Sequence, residues 1–436
     1  MSFLSPQFPN THQPHEHGES TSPVLSEVFM TSSAVDRVRA EIPDQYQKHF
    51  DELRQAILSF CDEFAIPTSA LSNKETLGTY LTSREISLLR MQEVSLLFER
   101  FEYLLAHKEP LGELSGALRE VESLYHLREQ YAAQMELLER IGVLKNHAIT
   151  GIDGEIYPVP TLEQIAEHLC SPERKETFRV KRDQGFTKLL LVPFGMSLDI
   201  FIFTFRQFLL DYKKRHPSFA RKDPAVIDIT DVQNWDPFNI WDYFIKGDTG
   251  HFPNLLYHPA GFDRNIDEDG ETKTNILEKQ KKDACSTAGW RVLFLQPSDP
   301  TNMDSKGFAS IPREKKGEIR GEDIPRPDLE AGETARNYLW VLLRDQKDPE
   351  APYFGESGMV PEDWILAAMT HLQETGKLLD LFQDDKNDVI NYLVGCFLPR
   401  DAYVPRFYCN RNAICLTADT PDNRLPSTGS RFVVVV

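Results

Sequence analysis

The chain has 436 residues, 41% hydrophobic and 11% aromatic, which is enough for real cores and too much for a chain disordered throughout. Its formal net charge of −19 argues against a binder that follows nucleic-acid phosphates along a basic face. No run approaches the ~18 uninterrupted apolar residues of a membrane span, and six scattered cysteines form no disulfide framework, so the expected location is a reducing cytoplasm.

At roughly 150 residues per domain, two or three domains are expected. Residues 1–35 are polar, with His12, His15 and His17 but no cationic start or long apolar block. They read as a disordered tail rather than a signal or transit peptide. Residues 36–145 follow as a helical bundle or coiled-coil hairpin. Tyr46, Phe50, Leu53, Ile57, Phe60 and Phe64 recur at steps of three and four, as on one helical face. A second helix is predicted from Ser83 to Leu105, ending before Pro110 and Gly112. A third is predicted from about Glu113 to Ile141, stopped by Gly142. Bundle packing and oligomer seams share this periodicity, so self-association through these helices is the functional alternative to a plain bundle.

From Gly151 the pattern shortens, and residues 151–436 read as a mixed domain. The predicted elements are a helix at Leu162–Leu169, a buried strand over Lys188–Gly195 and a helix over Phe201–Arg215. A strand at Gly289–Leu295 follows, then a polar stretch Pro297–Glu333 that is either a surface insert or a linker. Helices are predicted over Thr334–Arg344 and Pro361–Thr375, the second capped by Gly376. The fold class expected is therefore α+β.

Motifs for chemistry are few. Asp263-Arg264-Asn265-Ile266-Asp267-Glu268-Asp269-Gly270 alternates oxygen ligands before a glycine. An EF-hand, however, needs Asp first and a bidentate Glu at position twelve, and counting from Asn265 the twelfth residue is Ile276. It reads as an acidic solvated turn. His251 and His258 lack matched ligand spacing and read as structural. Lys279, Lys281 and Lys282, like Arg313, Lys315 and Lys316, are short basic runs of solvated surface, so no nucleic-acid partner is expected. There is no Walker A sequence, no GxGxxG after a strand, no HExxH and no CxxC, so neither catalysis, a metal nor a cofactor is expected.

The last forty residues are the most informative. Tyr392 to Pro399 reads as one apolar strand. Val404-Pro405 leads into Arg406-Phe407-Tyr408-Cys409-Asn410-Arg411-Asn412-Ala413-Ile414-Cys415-Leu416, and Gly429 to Val436 reads as a closing strand. Between these apolar flanks, Tyr, Asn, Arg, Asp and Ser mix without period, as on adaptable recognition surfaces. Even spacing would place Cys409 and Cys415 on one face of an unbroken strand. Two buried, reduced thiols are the simplest reading of them.

The order Pro361-Glu362-Asp363-Trp364, then Leu393-Val394-Gly395-Cys396-Phe397-Leu398-Pro399, then Val404-Pro405 and the polar run, then Gly429-Ser430-Arg431-Phe432 resembles the variable proteins of diversity-generating retroelements. The resemblance covers roughly the last 80 to 150 residues. It implies a C-type-lectin-like domain of the formylglycine-generating-enzyme subtype, which binds a protein or other macromolecular ligand without catalysis. Carried over by position, the solvent-facing variable segment at about 400–430 would comprise Arg406, Tyr408, Asn410, Arg411, Asn412, Ile414, Asp419, Asp422, Asn423, Leu425 and Ser427. Phe397, Val404, Gly429, Arg431 and Phe432 would be scaffold. The chain has Phe407-Tyr408 where such domains often carry a tryptophan, and its first three quarters have no counterpart in the family. Two alternatives accompany this expectation. One is a copper-dependent oxidase of the same fold with Cys409 and Cys415 as reactive thiols, though Phe407 to Leu416 does not reproduce the local setting of those cysteines. The other is an oligomerising scaffold protein.

Overall fold

The computed structural model describes residues 28–29, 32–72, single positions between 80 and 105, and then 116–216, 238–240, 255–263, 270–283, 287–302, 305–381, 389–399, 402–409 and 414–436. The three N-terminal histidines, residues 264–269, His251, Asn410, Arg411 and Asn412 lie outside these, as does most of the second predicted helix. The chain forms two compact units, Met1–Leu114 and Ser115–Val436.

In the first unit, α1 (Ser32–Ala40) precedes α2 (Asp44–Glu63), which starts directly after Pro43. The predicted apolar stripe of α2 faces inward, with Phe50, Leu53, Ile57 and Phe60 all buried. Phe50 stacks on Phe101 with ring centres 5.2 Å apart. The expected tail of residues 1–35 ends earlier than its polar composition suggests. Val28 and Phe29 are buried in this same core, and the Phe29 ring lies 5.3 Å from that of Phe101. Burying two large apolar side chains outweighs the ordering cost of a short segment.

The second unit begins where a third long helix is predicted, but that helix is two: α3 (Gly116–Tyr125) and α4 (Leu127–Arg140). His126 between them has left-handed backbone, φ 49°, and the Glu122 carboxylate accepts the freed Arg128 N–H at 3.0 Å. A hairpin of β1 (Ala148–Thr150) and β2 (Ile156–Pro158) leads to α5 (Leu162–Leu169), as predicted. There Thr161 and Gln164 each accept the other's backbone N–H, closing a capping box. Then come α6 (Lys175–Asp183), β3 (Lys188–Val192) and α7 (Leu198–Arg215). α7 buries Phe201, Ile202, Phe205, Phe208, Leu209 and Tyr212 on one side.

Short strands β4 (Phe238–Ile240) and β5 (Leu256–Tyr257) precede α8 (Lys273–Lys282) and β6 (Arg291–Leu295). The polar stretch 297–333 is a surface insert: it carries a ribbon of β7 (Ile319–Arg320) and β8 (Arg326–Pro327) and sends the Arg326 side chain into the interior. Next are α9 (Ala335–Asp345), β9 (Glu356–Gly358) and α10 (Pro361–Thr375). Pro361 opens α10, and Gly376 at φ 73° closes it in the left-handed conformation glycine adopts without strain.

The C-terminal strands differ from the pattern expected. Residues 392–399 are two strands, β10 (Ile390–Tyr392) and β11 (Cys396–Phe397), because the chain turns at Gly395, whose backbone lies too close to Gly358 for any side chain. The following run is a hairpin of β12 (Val404–Cys409) and β13 (Ile414–Asp419), so Cys409 and Cys415 stand on different strands. The terminal run is also two strands, β14 (Thr428–Ser430) and β15 (Phe432–Val435).

β15 joins a four-stranded antiparallel sheet of order β3-β6-β15-β9. β14 belongs to a five-stranded sheet of order β14-β10-β12-β13-β4, antiparallel in its centre and parallel at both edges. The chain thus crosses between sheets at Arg431. α4 and α10 lie against β3, and α7 packs on α10, where Phe205 meets Trp364 edge-on at 6.2 Å. The fold class is α+β, as expected.

Candidate binding face

Period-two alternation in the β12-β13 hairpin separates two faces. Inward, Phe407 pairs across the strands with Leu416 and lies flat on Trp364, ring centres 4.2 Å apart and planes 5° off parallel. Outward, Arg406 pairs with Thr417, and Tyr408 with Cys415. The outward face is only half open. Tyr392 and Val404, which share it, are buried in a cluster with Tyr338, Leu339 and Leu342 of α9. Arg406 and Asp419 keep 19% and 16% of their side-chain exposure.

The polar groups on this face satisfy one another. Arg406 donates from Nη1 to Asp419 Oδ2 at 2.6 Å and from Nε to Thr417 Oγ1 at 3.1 Å. Asn423 Nδ2 donates to the same Asp419 oxygen at 2.9 Å, and the Tyr392 hydroxyl donates to the Asn423 carbonyl. Tyr408 is hydrogen-bonded to Cys415. Burial first, then that thiol, pushes the phenol up to about 12, so it is neutral near pH 7. Past the hairpin, Asp422 receives a guanidinium fork from Arg336 of α9 at 2.6 and 3.1 Å, and this bond holds its carboxyl below the usual range. Arg424 reaches Glu333 at 2.9 Å.

Of the residues expected on this face, Arg406, Tyr408, Asp419, Asp422, Asn423 and Leu425 are brought together with at least partial access to solvent. Ile414 and Ser427 are not on it. Ile414 is fully buried, paired with Cys409 on one side and Phe238 on the other. Ser427 is also buried, and its carbonyl accepts the Ile390 N–H at 2.7 Å. Both belong to the framework, since interior strand positions and ladder carbonyls leave no side chain for a ligand. Phe397, Val404, Arg431 and Phe432, expected as framework, are buried.

The two thiols are buried as well, and burial pushes both upward, Cys409 well above its ordinary value. A nucleophilic cysteine needs the opposite shift.

The sequence reading missed a set of buried ion pairs elsewhere in the second unit. Arg431 donates to Asp380 Oδ1 at 2.7 Å, and the Trp364 indole donates to Asp380 Oδ2 at 2.8 Å. The Asp380 carbonyl accepts the Cys409 N–H at 3.0 Å, so this aspartate ties the end of β12 to both Trp364 and the sheet crossover. Arg291 forks onto Asp363 at 3.0 and 3.1 Å. Lys181 and Arg326 share Glu356. Lys273 and Tyr257 both bond Glu362. The charged partners lie 30 to 175 residues apart in sequence, beyond the reach of local pattern.

Among the described residues no helix is long and apolar enough to cross a membrane. Comparison with known protein families, with curated proteins and with solved structures finds no match to this chain.

Proposed function

We propose that the second unit is a non-catalytic ligand-binding domain of the C-type-lectin-like kind, whose face is built on the β12-β13 hairpin and the 419–425 loop. The observation that carries this reading is the division of labour within one hairpin. Arg406 and Tyr408 project from a strand whose other face is held by the flat Phe407–Trp364 stack. The solvent-facing side chains on such a face, Tyr408 and those of the 419–425 loop, can change without disturbing the ladder or the core beneath them. Tyr408 supplies a flat amphipathic surface with few rotors, and Arg406, Asp419, Asp422 and Asn423 supply donors and acceptors for a macromolecular ligand.

Diversification of this face in the manner of retroelement variable proteins is the biological setting proposed for it. Sequencing the 3′ end of the gene from many cells, together with its surroundings, tests this. Substitutions should concentrate in codons 406, 408, 410–412, 419, 422, 423 and 425, while 414 and 427 stay constant. They should trace to adenines in a near-copy beside a reverse-transcriptase gene. Uniform variation across the window, with no near-copy, would overturn the reading.

A further inference from the structure

The buried ion pairs are not chemically alike. Asp363 and Asp380 each face an arginine, and both oxygens of each carboxylate accept hydrogen bonds. Glu356 faces Lys181, but the Arg326 fork also occupies both its oxygens, at 2.7 and 2.8 Å. A guanidinium stays protonated and is no nucleophile, so these pairs remain ionic.

Glu362 is different. No guanidinium bonds to it among the described residues. Its partner is the primary amine of Lys273, with Nζ 2.6 Å from Oε1. The side-chain exposures are 2% for Lys273 and 0% for Glu362. The walls are aromatic: Nζ lies 5.0 Å from the Phe194 ring centre and 5.8 Å from that of Tyr257. The Tyr257 hydroxyl donates to the same Oε1 at 2.9 Å, and the Met196 carbonyl accepts from Nζ at 2.8 Å. Oε2 is buried with no partner.

In water-excluded surroundings two opposite charges are costly, and condensation of this amine with this carboxylate to an amide removes both. We infer that Lys273 and Glu362 are a site of self-catalysed isopeptide formation, which crosslinks the first turn of α8 to the first turn of α10. The Nζ lone pair adds to Glu362 Cδ, and charge develops on Oε1, where the Tyr257 hydroxyl is already placed to stabilise it. Two of the three ammonium protons, one before the addition and one after it, end on Oε2; the third stays as the amide N–H, the C–Oε2 bond breaks, and one water leaves. The products are a secondary amide and that water, with no oxidant or co-reactant required. Tyr257 remains a proton donor, because burial above all keeps its phenol well above its ordinary value. Enclosure holds the reactants in contact for the life of the folded state, which substitutes for a dedicated activating group.

Peptide mapping of the purified full-length chain by mass spectrometry, after incubation at neutral pH, decides the matter. The expected result is a branched tryptic product joining the segments that carry Lys273 and Glu362, one water lighter than their sum. Intact protein should show the same deficit. Lys273→Arg keeps the cation but removes the nucleophile, so its peptides should appear separately at full mass. Tyr257→Phe should slow the appearance of the branched product in freshly made protein. If either variant fails to fold, the wild-type map alone suffices. Separate, full-mass peptides throughout the wild-type digest would overturn the inference and leave an ordinary buried ion pair.

Discussion

Burial sets the behaviour of individual side chains here more than sequence type does. Glu356 would be raised by its complete burial, yet Arg326 and Lys181 together hold it below its ordinary value. His371 shows the reverse balance. Burial, followed by the charges of Arg431, Lys188 and Lys377, pushes its imidazole down to about 4. Geometry agrees, since Nδ1 accepts the Phe308 N–H at 3.0 Å and protonation there would destroy that bond. A group whose folded pKa lies below its unfolded value stabilises the fold above the unfolded value and loses that contribution as pH falls. The window therefore runs from the ordinary histidine value of about 6.5 down to about 4, and the loss is on the order of 3 kcal/mol. Following the His371 ring protons by NMR should give a midpoint near 4, with stability falling across the same window. A midpoint near the ordinary histidine value would refute the assignment.

At the scale of the element, adjacent residues of β12 should respond in opposite ways. Phe407 is fully buried on Trp364, so Phe407→Ala should cost about 3–5 kcal/mol in equilibrium unfolding. Tyr408 faces outward, so Tyr408→Ala should cost less than about 1 kcal/mol beyond the loss of its bond to Cys415. Equal costs would mean that Tyr408 is framework, and the proposed face would lose its centre. This contrast also marks how far the sequence could be read. The alternation Arg406-Phe407-Tyr408 and the helices around Leu162, Phe201 and Trp364 were legible because one period repeats within a few residues. The division of the last eight residues between two sheets was not. β14 and β15 share one apolar run, and what separates them is Arg431, whose partner Asp380 is supplied from 51 residues upstream. The hairpin's polar residues were legible as a class, yet their half-burial under α9 depends on Tyr338 and Leu342, which no local pattern ties to Val404.

At the scale of the whole molecule, the division after Leu114 falls about thirty residues before the boundary that composition suggests at 145. Helical periodicity is the reason, because α3 and α4 carry the same signal as the helices before them while packing with different partners. Tyr125 at the end of α3 stacks on Phe294 of β6, ring centres 4.8 Å apart, and Gln130 of α4 bonds both the Leu189 N–H and the Thr187 carbonyl beside β3. The first unit has a core of its own, in which Phe29, Phe50, Ile57 and Phe101 are buried together. The stripe of α2 is used there. A fragment comprising residues 115–436 should therefore fold by itself, with the near-ultraviolet circular dichroism and unfolding midpoint of the corresponding transition in the full chain. A fragment starting at residue 151 should not, since it exposes Phe294 and leaves the Leu189 N–H without its acceptor. If both fragments folded equally well, α3 and α4 would belong energetically to the first unit, and the division after Leu114 would be wrong.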